Sequence, residues 1–117
     1  MIIRRHFTDV EETQVADGVT MRVVVGPDDG APHFNLRVFE VKPGRATFHH
    51  EHWWEHEIFI LEGAGTVATQ EGEKPIGAGY TMLVPGGEKH QIRNTGEGVL
   101  RFICLVPQDW LGEIERS

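Results

Sequence analysis

Residues 49–57 read HHEHWWEHE, four histidines and three glutamates within nine positions, in a chain that has seven histidines altogether. Imidazoles at i and i+2 of a strand lie side by side on one face, close enough to share an ion. A third ligand four residues on, across a bend, and a fourth from a distant strand would close a site around it. Neutral imidazoles suit manganese, iron, cobalt, nickel, copper or zinc, whereas magnesium and calcium want hard oxygens. The chain has one cysteine, so a multi-thiolate structural zinc site is excluded. A histidine-built site on one wall of a pocket suits catalysis, which needs open coordination positions.

Positioning such a site falls to strands. The chain reads as short β-branched or aromatic runs at 19–26, 34–44, 45–52, 56–63, 65–70, 80–85, 89–94 and 99–107. Turn signals separate them: PDDG at 27–30, KPG at 42–44, EGAG at 62–65, EGE at 71–73, GAG at 77–79, PGG at 85–87 and TGEG at 95–98. Only the tail QDWLGEIERS suggests a helical turn. Many short strands at close spacing predict one all-β domain over 1–117, built as a sandwich, barrel or jelly roll.

Alternation sorts the side chains. Ala46, Phe48, His50 and His52 point one way, and Thr47, His49 and Glu51 the other. His56, Ile58 and Ile60 share a face opposite Glu57, Phe59 and Leu61, and Leu100, Phe102, Cys104 and Val106 share a face of the last strand. With His50, His52 and His56 inward, three imidazoles converge and His49 is left outside. Arg37 and Phe39 alternate onto one face of their strand, where an inward Arg37 would hold a substrate carboxylate.

Composition bounds the partners. The formal net charge is −7 with no basic cluster, so a phosphate backbone would be repelled and nucleic acid is a poor partner. No apolar run reaches the roughly 20 residues that span a bilayer, and no apolar segment follows the arginines of MIIRRHFTDVEE as in a secretory signal. With a single cysteine, these features predict a cytoplasmic protein. His6 and His33 are expected to be bystanders, and Glu55, Glu57 and Glu62 a solvated edge.

Two spaced motifs carry a family resemblance. Gly44, His50 and His52 begin the pattern G-x5-H-x-H-x3(or 4)-E-x6-G, while Gly79, Pro85, Gly87, His90 and Asn94 complete G-x5-P-x-G-x2-H-x3-N. The chain thus resembles a small single-domain cupin over roughly 19–107, which implies a β-jelly-roll barrel. In the first motif, three residues after His52 lead to His56 and six more to Gly63, whereas four lead to Glu57 and then to Ala64. The closing glycine and the strand face both favour His56. The run from His52 through His56 to Phe59 and the closing FICLVP are similar to small microbial cupins with four histidine ligands.

That resemblance implies a metal centre of His50, His52, His56 and His90, with manganese the leading ion, and a homodimer. Four neutral imidazoles leave a divalent ion its full charge, attractive to anionic ligands, and octahedral preference leaves two positions open. The leading expectation is a manganese- or iron-dependent oxygenase acting on a small organic substrate. Redox-neutral isomerisation or decarboxylation is the alternative within enzymes, and a non-catalytic, metal-containing small-molecule binding protein the alternative outside them. Phe102 and Cys104 are expected to line the pocket beside Arg37 and Phe39. Trp53 and Trp54 are expected to pack or meet a second subunit, unless one walls the pocket mouth. Pro85, the motif glycines and Asn94 are expected to be structural.

Overall fold

The computed structural model describes residues 1–47 and 54–108. Within them nine strands form: β1 (Thr13–Ala16), β2 (Val19–Val25), β3 (Phe34–Val41), β4 (His56–Glu62), β5 (Ala64–Thr69), β6 (Gly72–Gly77), β7 (Thr81–Val84), β8 (His90–Asn94) and β9 (Leu100–Pro107). Two single-turn 3-10 helices, Phe7–Asp9 and Pro27–Asp29, are the only helical elements among the described residues. The strands make a six-stranded sheet in the order β1-β2-β3-β9-β4-β7 and a three-stranded sheet in the order β6-β5-β8. Every pairing is antiparallel. The expected all-β barrel is present.

Face alternation places the core between the sheets. In β4, His56, Ile58 and Ile60 are buried while Glu57, Phe59 and Leu61 are exposed. In β9, Leu100, Phe102, Cys104 and Val106 are buried, with half-buried residues between them. Ile58, Ile60 and the four inward residues of β9 join Val19 and Val41 of the larger sheet and Val67, Ile76 and Ile92 of the smaller one in a single apolar cluster. Removing that much apolar surface from water is the main driving force for closing the sheets on each other. The cluster is tightest around Val19, Val41, Ile60 and Leu100, all fully buried. His56 and His90 stand at the first residues of β4 and β8, at the opposite end of the barrel.

Two strands escaped the sequence reading. β6, GEKPIG, has only Ile76 buried, and its glycines and Pro75 resemble turn punctuation. It is an edge strand, the position in a sheet that tolerates proline. β1, TQVA, is a four-residue edge strand with two exposed polar residues, and only Val15 and Ala16 lean on the core. The run predicted as a strand at 45–52 begins alongside β8: Ala46 pairs with Arg93, and Thr47 donates its backbone N–H to the Ile92 carbonyl while its side-chain Oγ1 accepts from Ile92 N. Residues 48–52, and the tail expected to turn helically from 109 onward, lie outside the described residues.

Polar groups pin the ends of the barrel. Asn94, 1% exposed, donates through Nδ2 to the carbonyls of Val41 at 2.7 Å and Gly98 at 2.8 Å, and its Oδ1 accepts from Gly96 N at 2.9 Å. It thereby satisfies the turn between β8 and β9 and ties that turn to the end of β3, which is the structural role expected of it. On the outer face, Glu40 bridges Arg22 and Arg101, whose guanidiniums also stack over Phe7. Burial opposes ionisation of Glu40, but hydrogen bonds from Arg101 and Arg22 outweigh it and hold the carboxyl below its ordinary value.

Candidate metal centre

His56 and His90 come from different sheets, and the fold brings their rings together edge-on. Their ring centroids lie 5.2 Å apart at an interplanar angle of 62°, and each residue is only 6% exposed. Trp54, buried in the core cluster, lies against His56 with ring centroids 6.4 Å apart. The second motif explains His90. Gly87, at φ +85, turns the chain after Pro85, and His90 enters β8 facing inward with Ile92 and Asn94.

The ring nitrogens are differentiated. His90 Nδ1 lies 3.0 Å from the Glu88 carbonyl oxygen, which can only accept. Nδ1 therefore carries the proton and Nε2 carries the lone pair. His56 Nδ1 lies 3.0 Å from Cys104 Sγ, which likewise leaves Nε2 on the far edge of its ring. Ligating histidines are typically held in this way, by a partner on the other nitrogen. The two described histidines thus fit the nitrogen-rich centre that the sequence implies.

Cross-strand register builds the wall behind them. Arg37 of β3 stands directly opposite Cys104 of β9, and Phe39 directly opposite Phe102. On the other side of β9, Cys104 is opposite Ile58 of β4, one face-repeat from His56. Arg37 Nη2 donates to Cys104 Sγ at 3.2 Å, and its guanidinium lies 5.0 Å from the Phe39 ring centroid. Phe39 and Phe102 stack at 5.1 Å, nearly parallel. Arg37, Phe39, Phe102, Cys104 and Trp54, the residues expected to line a pocket, therefore share the barrel interior with both histidines.

Glu57 is placed on the opposite side of β4. It is exposed, its strand neighbours are Leu83 and Leu105, and its carboxyl interacts with that of Glu55. That interaction, led by a side-chain hydrogen bond in which the protonated Glu55 carboxyl donates to Glu57, pushes Glu55 above the usual carboxylate range. Among the described residues no three His, Cys, Asp or Glu side chains are grouped to hold a metal ion. The other two expected ligands, His50 and His52, lie outside the described residues, as do His49 and Trp53. His6 caps the first 3-10 turn through Thr8, and His33 meets the Phe34 ring edge-on. What the sequence reading missed is the contact between Cys104 and His56, which depends on the β4–β9 register.

A sequence profile of the family described as Cupin_2, Cupin domain, matches residues 37–106, which include both described histidines and the wall residues. The chain is a cupin. The polyketide cyclase RemF from Streptomyces resistomycificus is similar in structure, with a TM-score of 0.85 and 35% identity, covering 92% of this cupin and 80% of that chain. Protein SchB of Streptomyces halstedii is 26% identical over 114 residues, 93% of this cupin and 83% of that protein. The oxalate-binding protein of Thermotoga maritima is 35% identical over 80 residues, 65% of this cupin and 66% of that protein.

Proposed function

We propose that this cupin is a metal-dependent enzyme acting on a small organic substrate at a centre formed by His50, His52, His56 and His90. The observation that carries the reading is the pair of buried imidazoles from two sheets, each with Nδ1 engaged. The segment bearing His50 and His52 also joins the described chain beside that pair, at Thr47 against β8 and at Trp54 against His56. A divalent transition ion bound there, manganese first and iron, nickel, cobalt, copper or zinc as alternatives, would supply Lewis acidity toward a substrate oxygen.

The chain's own residues do the rest. Arg37, held inside the barrel, supplies N–H donors for a carboxylate, enolate or phenolate oxygen. The stacked Phe39 and Phe102 offer a flat apolar wall to the substrate body and keep water from it. A guanidinium beside such a wall stabilises negative charge that develops on a carbonyl oxygen during the reaction. Likeness to a polyketide cyclase supports redox-neutral chemistry on a polycarbonyl substrate over the oxygen-consuming reaction first expected from the sequence.

The test is turnover by the manganese-loaded protein with a panel of diketones and polyketide-like phenols, followed by mass spectrometry and an oxygen electrode. Products isomeric with the substrate, or lighter by one water, without oxygen uptake are expected. Uptake in step with product would replace this reading with an oxygenase. Ligand-induced thermal stabilisation without turnover would replace it with a binding protein.

The same reading has a second copy covering the outer face of the larger sheet, where Val25, Phe59 and Leu83 are exposed beside half-buried Leu36, Ile103 and Leu105. Exposed apolar surface of this kind marks an association face. A dimer is expected in light scattering, and a monomer at micromolar concentration would remove this part of the proposal.

A further inference from the structure

A lone buried cysteine is usually a small hydrophobic filler. Cys104 differs in what it touches. Its Sγ is 3.0 Å from His56 Nδ1 and 3.2 Å from Arg37 Nη2, and all three residues are buried, Cys104 to 2% exposure. The arrangement is fixed by backbone pairing: Arg37 and Cys104 are direct partners across β3 and β9, and His56 lies diagonally across β9 and β4 on the same inner face.

We propose that Cys104 is a positioning residue for His56, and that Arg37 fixes the sulfur in that role. A guanidinium has donors and no acceptor, so in the contact with Arg37 the sulfur accepts. In the proposed arrangement Sγ accepts from His56 Nδ1–H as well, one sulfur taking an N–H from each side, with the thiol hydrogen turned away from the ring. That sets the proton of the neutral ring on Nδ1 and leaves the lone pair on Nε2. His90 reaches the same state by donating Nδ1–H to the Glu88 carbonyl. The two imidazoles then present matching nitrogens, one set by a backbone carbonyl and the other by a thiol. An aliphatic side chain at 104 would fill the same space but would not tell the two nitrogens of His56 apart.

This inference rests on the metal reading for its purpose but not for its test. In metal-free protein, long-range proton–nitrogen-15 correlation reports which nitrogen of His56 carries hydrogen. The Nδ1–H form is expected in the wild type and in Cys104→Ser, which keeps an acceptor, and its loss is expected in Cys104→Val and Cys104→Ala. Manganese affinity, measured by competition with a chromophoric chelator, should fall about 10–100-fold in the valine and alanine variants, the usual cost of removing a ligand's hydrogen-bond partner, and recover in the serine variant. A folded Cys104→Val protein with an unchanged His56 tautomer and unchanged affinity would overturn the proposal. Should valine prevent folding, the same result in Cys104→Ala would overturn it. Failure of the wild type to take up any metal would sink the metal reading, and the tautomer comparison would still decide the role of Cys104.

Discussion

His56→Ala is expected to strip most of the bound metal from the purified protein, while Glu57→Ala leaves metal content unchanged. The two residues are adjacent, and either one satisfies a version of the family's first motif. A one-residue change of register reverses the direction of every side chain on a strand, so only one can face the barrel interior. His56 faces inward, 6% exposed, with its ring 5.2 Å from that of His90. Glu57 faces outward beside Glu55 and pushes that carboxyl upward. Losing a directly coordinating nitrogen should cost more than the 10–100-fold typical of losing a ligand's hydrogen-bond partner, so an affinity loss above about a hundredfold is expected for His56→Ala. His90→Ala should match it. Elemental analysis of the three variants and the wild type, purified in parallel, decides the question. Equal depletion in the histidine and glutamate variants at 56 and 57 would show that the outward carboxylate participates, and the register argument would fail.

Legibility in the sequence followed the physics of each element. β4 and β9 were readable because each buries one face against the core and leaves the other wetter, so alternation appears directly in HEIFILE and LRFICLVP. β6 and β1 were not, since edge strands bury little and carry glycine, proline or polar residues that look like loop. The inward placement of His56, Phe102 and Cys104 was readable for the same reason as β4 and β9; that of Arg37, the fourth, stayed conditional because β3 buries Val38 beside it and does not alternate cleanly. The contacts among those four were not. They depend on how β3, β9 and β4 register against one another, and side-chain alternation within one strand says nothing about its alignment with the next. Asn94 shows the opposite case. Its motif position marked it as structural, yet the turn and strand end that it joins emerge only from the hydrogen bonds to Val41, Gly96 and Gly98.

Gly63→Ala is expected to destabilise the protein by roughly 3–5 kcal/mol, the cost of a left-handed backbone added to that of an overpacked contact. The glycines of the two motifs, Gly44, Gly63, Gly79 and Gly87, all have positive φ, between 78° and 96°. For an L-residue that conformation alone costs about 1–2 kcal/mol. Gly63 carries a second burden. A Cβ there would stand 2.5 Å from the Val99 carbonyl oxygen and 2.8 Å from Leu100 Cα, both backbone atoms at the start of β9. The Gly63 carbonyl is also engaged, accepting from Ala78 N at 3.2 Å, so the turn cannot easily shift away. At Gly87, by contrast, an added Cβ meets nothing within 4 Å. Gly87→Ala therefore isolates the cost of φ, and the difference between the two variants isolates the collision. For a domain of this size the Gly63 variant should melt more than about 10 °C below the wild type, and the Gly87 variant only a few degrees below it. Equal melting temperatures for the two variants would contradict the packing of β9 on this turn. The consequence reaches the metal centre, because Gly63 ends the strand that His56 begins. A glycine that the motif spacing uses to choose between His56 and Glu57 is the residue that lets β4 stop against β9 in the register that turns His56 inward.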